Sequence, residues 1–173
     1  MKICTPLSQL LPVKNIPGIF EAVALLNDKT IFVNVVGGGE AKDLENLVMK
    51  FGLKSQVKFL GAMPNDKARE ILKKSDVFIL NSFHEGMPHA LIEALAEGVP
   101  VIATKIPAVL EVLKDKKTGL LVNIDDPNDL AEKIKLVEKY KDTLVKNGKK
   151  LYLEKFTWEA HLKALYDTFG NKS

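Results

Sequence analysis

The chain has 173 residues, 46% hydrophobic and 27% charged, which suits one folded domain and excludes a disordered or fibrous protein. Its net charge of +3 is carried almost wholly by lysine, with Arg69 the single arginine, so no basic stripe for nucleic acid is expected. No apolar run approaches the roughly 18 residues needed for a transmembrane segment, and the single cysteine, Cys4, excludes an internal disulfide and suits a reducing, cytoplasmic setting.

Strand and helix signals then alternate along the chain. Residues 3–9 are predicted as a first strand. Asn15 can cap a helix with Pro17 in its first turn and Ile19, Phe20, Val23 and Leu26 on its buried side. Residues 30–36 form a strand that runs into Gly37-Gly38-Gly39. A helix over 41–51 and a strand over 57–60 follow, with Gly61 and Pro64 as breakers, and then a helix over 66–74. The apolar run Val77-Phe78-Ile79-Leu80 is a buried strand feeding a loop, a helix begins near Pro88, and residues 99–103 are the next strand. Thr118-Gly119 precedes a strand over 120–123. Asp126-Pro127 opens a helix with Leu130, Ile134, Val137, Tyr140 and Leu144 at helical spacing, which Gly148 is expected to end. Thr157 can cap a last helix whose stripe of Trp158, Leu162, Leu165 and Phe169 is expected in the core, with Gly170 just beyond. The pattern predicts a single α/β domain over residues 1–173, a doubly wound parallel sheet of Rossmann-like type.

Ligands of such sheets collect at the carboxyl ends of the strands. The loop after Leu80 reads Asn81-Ser82-Phe83-His84-Glu85-Gly86-Met87-Pro88-His89 and continues into a helix carrying Glu93. Gly86, Met87 and the first helical turn, at Pro88 and His89, can offer backbone N–H groups and the positive end of a helix dipole to phosphate. Taken alone, Glu85 also reads as a helix-capping carboxylate, Glu93 as a solvent-facing glutamate and Lys14 as one surface lysine among many. His84 and His89 lack partners at ligand spacing, so no metal site is expected. Gly37-Gly38-Gly39 has neither phosphate-loop form.

Taken together, Ser82, Glu85, Gly86, Pro88, Glu93, Ala94, Gly98, Pro100, Val101, Ile102 and Ala103 resemble the signature of retaining glycosyltransferases of the GT-B architecture. This is the group 1 family that includes sucrose and bacterial glycogen synthases. The Leu10-to-Asn15 segment, Val36-Gly37-Gly38-Gly39, Val57-to-Gly61, Ser75-to-Phe78, Thr118-to-Val122 and Phe156-Thr157-Trp158 extend the resemblance over nearly the whole chain. All of it maps to the carboxyl-terminal, donor-binding half of the architecture, in which the last helix returns toward the other half, so the resemblance implies that part of the Trp158 stripe could be exposed.

The resemblance implies a nucleoside-diphosphate sugar as substrate and neither cofactor nor metal. Glu85 and Lys14 would be the catalytic pair, Glu85 at the donor sugar and Lys14 on the diphosphate. Glu93 would bind the ribose, Gly86 to His89 the phosphates, and Gly37, Gly38 and Gly61 the neighbourhood of the base. The acceptor-binding half would come from a separate domain or chain; the alternative is a non-catalytic nucleotide-sugar binding module. Two positions depart from the family pattern. Gln9 stands where an arginine usually precedes the lysine by five residues, and Ala108 stands where a glycine is usual.

Overall fold

In the computed structural model, which describes residues 1–169, the alternating apolar runs assemble into one six-stranded sheet. Its strands are β1 (Lys2–Pro6), β2 (Phe32–Val36), β3 (Val57–Gly61), β4 (Val77–Leu80), β5 (Val101–Thr104) and β6 (Leu120–Val122). All pair in parallel, in the order β3-β2-β1-β4-β5-β6. The order reverses between β1 and β4, and in a doubly wound sheet that is where a crevice opens at the carboxyl ends. The predicted fold class is the observed one.

Strand alternation sends side chains to two separate cores. Ile3, Val33, Val77, Ile79 and Ile102 meet α1 (Ile16–Leu26), α2 (Lys42–Lys50) and the first half of α6 (Pro127–Lys155). Cys4, Phe78, Leu80, Val101 and Ala103 meet α3 (Asn65–Lys73), α4 (His89–Glu97) and α5 (Pro107–Leu110). Burial holds the Cys4 thiol protonated, its pKa pushed up to about 12 against the smaller, opposing influence of a hydrogen bond with Ser75.

Three local expectations are corrected. β1 ends at Pro6, before residues 7–9, because proline offers no N–H to the ladder and Leu7 takes a left-handed conformation that turns the chain. Helix α6 does not end at Gly148 but runs 29 residues to Lys155. A Cβ on Gly148 would lie 2.9 Å from Leu95 Cδ2, so this glycine lets α6 approach α4 closely rather than stopping the helix. Thr157 does cap α7 (Trp158–Phe169), its hydroxyl accepting from the Ala160 N–H at 3.2 Å. The described part of the stripe, however, is not core: Trp158 and Leu162 are 68% and 47% exposed. Both faces of the sheet are already covered when α7 begins, and the Trp158 ring rests instead beside His161, 6.0 Å between centroids. Gly170 and the side chains of Leu165 and Phe169 lie outside the described residues.

Candidate functional site

Two loops flank the reversal point, one after β1 and one after β4, and hydrogen bonds lock them together. Asn15 caps α1 as predicted, its Oδ1 accepting from the Gly18 N–H at 3.3 Å. Its backbone carbonyl accepts from Asn81 Nδ2 at 3.0 Å. The Phe83 N–H donates to the Val13 carbonyl at 2.8 Å. Asn15 and Asn81 are both buried, so the bond between them is shielded from water.

That clamp brings Lys14 and Glu85 together, 71 residues apart in sequence. Lys14 Nζ donates to Glu85 Oε1 at 2.7 Å, and the side chains are only 14% and 10% exposed. The same oxygen accepts from the Ser82 hydroxyl at 2.6 Å. Glu85 is therefore a fixed carboxylate rather than a freely rotating loop residue. Gly86 and Met87 follow it on the exposed side of the loop, and among the described residues their N–H groups donate to no protein acceptor. Pro88 is buried and precedes the first residue of α4, His89, whose side chain is exposed and whose N–H donates to the Met87 carbonyl at 2.9 Å.

Glu93 lies one turn further along α4 and has a different partner. Its Oε1 accepts from Asn65 Nδ2, at the start of α3, at 2.9 Å. Glu93 thus faces the segment after β3, while Glu85 faces the loop after β1. On the opposite side of the β4 loop, a hollow of about 410 Å³ is lined by Gly86, Met87, Pro88, Ala108, Glu111 and Phe156, among others. Ala108 and the candidate phosphate loop therefore border one space.

The glycine run after β2 answers a packing demand. A Cβ on Gly37 would lie 1.7 Å from the Ser8 carbonyl oxygen, which no other residue can accommodate. The Leu10 N–H donates to the Gly38 carbonyl at 2.7 Å, and the Gly37 N–H donates to the Gly61 carbonyl at 3.0 Å. Gly61 itself turns the chain out of β3 with φ of 71°. The exposed side chain of Gln9 lies over Gly38, 3.5 Å from where its Cβ would be. Gln9, Gly37, Gly38 and Gly61 therefore form one group of loop tips at the carboxyl end of β1, β2 and β3.

Sequence reasoning missed Asn65, Asn81 and Thr104 as site-shaping residues. Asn65 carried a faint signal, a polar residue after the breakers Gly61 and Pro64. Thr104 carried none, because its contact is made across the sheet. No three of the His, Cys, Asp and Glu side chains gather as a possible metal site among the described residues. No helix among them is long and apolar enough to cross a membrane.

Residues 2–152 match the family model of the glycosyl transferases group 1, and the chain belongs to that family. It is 33% identical to an uncharacterized glycosyltransferase of Methanocaldococcus jannaschii, over 82% of this chain and 41% of that protein. The chain spans less than half the length of the first curated relatives it matches. A crystal structure of HepE from Anabaena in complex with UDP-glucose superposes with a TM-score of 0.85 at 21% identity, over 98% of this chain and 48% of that one. The crystal structure of the C-terminal domain of a group 1 family protein from Francisella tularensis covers 91% of this chain, and this chain covers 86% of that domain. Its TM-score is 0.79 at 25% identity.

Proposed function

We propose that this group 1 glycosyltransferase domain binds a nucleoside-diphosphate sugar and forms the donor half of a retaining transferase. The observation that carries the proposal is the meeting of Lys14 and Glu85 across the reversal point, beside the uncommitted N–H groups of Gly86 and Met87. A diphosphate needs concentrated positive charge and donors, and these groups supply both.

In the proposed complex Lys14 turns from Glu85 to the diphosphate, and the Gly86 and Met87 N–H groups bind the phosphate oxygens with the start of α4 behind them. As the glycosidic bond to phosphate breaks, negative charge grows on the leaving oxygen and positive charge on the sugar ring. Lys14 and the N–H groups stabilise the first; Glu85, at the anomeric side, stabilises the second. Glu93 accepts from the ribose hydroxyls, where a carboxylate can take two neighbouring O–H groups. The loop tips at Gly37, Gly38 and Gly61 border the base, and Gln9 stands near the phosphates. The charge is supplied by the chain itself, so the reading includes no metal or cofactor.

An acceptor site is supplied by a second domain or chain, since the relatives are more than twice as long as the matched region. The superposition on HepE, solved with UDP-glucose, supports the choice of ligand class. Buried, unpaired Cys4 suits a cytoplasmic location. Calorimetric titration of the chain with UDP, GDP and ADP and their glucose conjugates, with and without magnesium, tests the proposal. Saturable binding of at least one conjugate, unchanged by a chelator, is expected. Binding of none, or strict magnesium dependence, would sink it.

A further inference from the structure

Glu85 is held by Ser82, and Ser82 is held in turn by a residue from the next strand. Thr104 ends β5, on the same face as Ile102, and is completely buried, as is Ser82. The Thr104 hydroxyl donates to the Ser82 carbonyl at 2.6 Å. The β4–β5 ladder has already finished at Leu80 and Ala103. The Thr104 hydroxyl thus continues the tie between β5 and the segment after β4, as far as two residues past the end of that strand. A valine would fill the same volume on an apolar sheet face, so packing does not account for the hydroxyl. A buried carbonyl beyond the ladder does, because such a group is costly when left unpaired.

We propose that Thr104 and Ser82 are positioning residues for Glu85. Thr104 fixes the backbone of Ser82, Ser82 donates its single hydroxyl proton to Glu85 Oε1, and the carboxylate is thereby aimed at the donor sugar. Neither residue touches the ligand. The arrangement keeps Glu85 in place when Lys14 leaves it for the diphosphate, since the 2.6 Å bond from Ser82 remains. A carboxylate that swung with its lysine would follow the phosphates and lose the sugar. This inference rests on the donor-site reading above.

The test compares Thr104→Val, Thr104→Ser and Ser82→Ala with the unsubstituted chain. Affinity is measured by calorimetry for UDP, GDP and ADP and for their glucose conjugates, and melting is followed in parallel. Each removed hydrogen bond corresponds to about a fivefold loss. Thr104→Val and Ser82→Ala are expected to lower affinity for the preferred sugar conjugate by about that factor relative to its free nucleotide, and Thr104→Ser to keep the original ratio. A merely structural role would weaken both ligands equally or lower only the melting temperature, and that outcome overturns the proposal. Ser82→Ala carries the test if Thr104→Val does not fold, and an unchanged ratio in Ser82→Ala is equally fatal. If the unsubstituted chain binds nucleotides without favouring any conjugate, Glu85 does not read the sugar and this inference fails while nucleotide binding stands. If it binds none of the six ligands, the donor-site reading itself falls.

Discussion

Lys14 Nζ and Glu85 Oε1 stand 2.7 Å apart across the reversal point of the sheet, so the lysine proposed for the diphosphate is held by the protein's own carboxylate. A diphosphate must compete with Glu85 for Lys14. Glu85→Gln keeps the shape and the Ser82 contact but releases the ammonium and removes a repelling charge. Free nucleoside diphosphate should then bind about fivefold tighter, near 1 kcal/mol, while the preference for the sugar conjugate disappears. Lys14→Ala should weaken both ligands by tenfold or more, on the order of 1.5–3 kcal/mol for a charge-assisted bond. Calorimetry on the two variants decides; weaker free-nucleotide binding by Glu85→Gln would contradict the competition.

Glu93 has its own partner, Asn65, and so should act independently of Glu85. Glu93→Ala is expected to reduce affinity for a free nucleotide and its sugar conjugate alike, by about tenfold, as two hydroxyl contacts to a carboxylate are lost. Asn65→Ala leaves the carboxylate in place but unsteered, and should have a smaller effect in the same direction. A Glu93→Ala loss confined to the sugar conjugate would reassign this residue.

Gln9 lies over Gly38 on the exposed tip of the β1 loop. Gln9→Arg should tighten nucleoside-diphosphate binding by about tenfold, or 1.4 kcal/mol, from one charge-assisted contact. Because the position is exposed, the gain should shrink as salt is raised. No tightening at low salt would mean that position 9 does not face the phosphates.

Much of this was legible in the sequence, and the illegible parts have a common cause. The strand Val77-Phe78-Ile79-Leu80, the Asn15 cap and the Asp126 cap are local signals, and the structure reproduces them. Gly148 misled because its role is set by Leu95, 53 positions away, and a glycine near a plausible helix end looks the same in either role. Periodicity alone placed Trp158 in the core, whereas the family resemblance left part of its stripe open to exposure, because an apolar stripe says that a helix has a partner, not that the partner belongs to this sheet. In the site, the signature residues could be picked out by type and spacing. The pairing of Lys14 with Glu85 and of Glu93 with Asn65 could not, since each joins residues from different crossover units, far apart in sequence.

The start of α6 gives a prediction about pH. Asp129 accepts from the Asn123 N–H at 2.8 Å and from Lys133 Nζ at 2.9 Å. Burial pushes its carboxyl up, but the Lys133 and Asn123 bonds, with the charges of Lys133 and Lys105, more than offset this and hold it below the usual range. The folded state therefore binds this proton less readily than the unfolded chain. The contribution is complete above the ordinary aspartate value of about 3.9 and is lost as pH falls through the depressed one. Asp129→Ala should cost about 1–2 kcal/mol in urea unfolding at pH 7. That difference should narrow below about pH 4. A constant difference down to pH 2.5 would refute the linkage.

Helix α6 ties the two faces of the domain into one mechanical unit. Its early residues, from Leu130 to Leu144, are anchored in one core, while Leu151 and Tyr152 pack against the other, and Gly148 lies between them against Leu95. A helix of 29 residues is about 44 Å long and cannot be half melted without opening a new frayed end. Neither core can therefore dissolve while the other keeps its share of the rod. The sheet divides the interior in space, but α6 makes the two compartments cooperative, so heating should give a single transition with equal calorimetric and van't Hoff enthalpies. Damage at Leu144 would then be felt at Leu95, on the far side of the sheet, as an earlier loss of amide protection along α4.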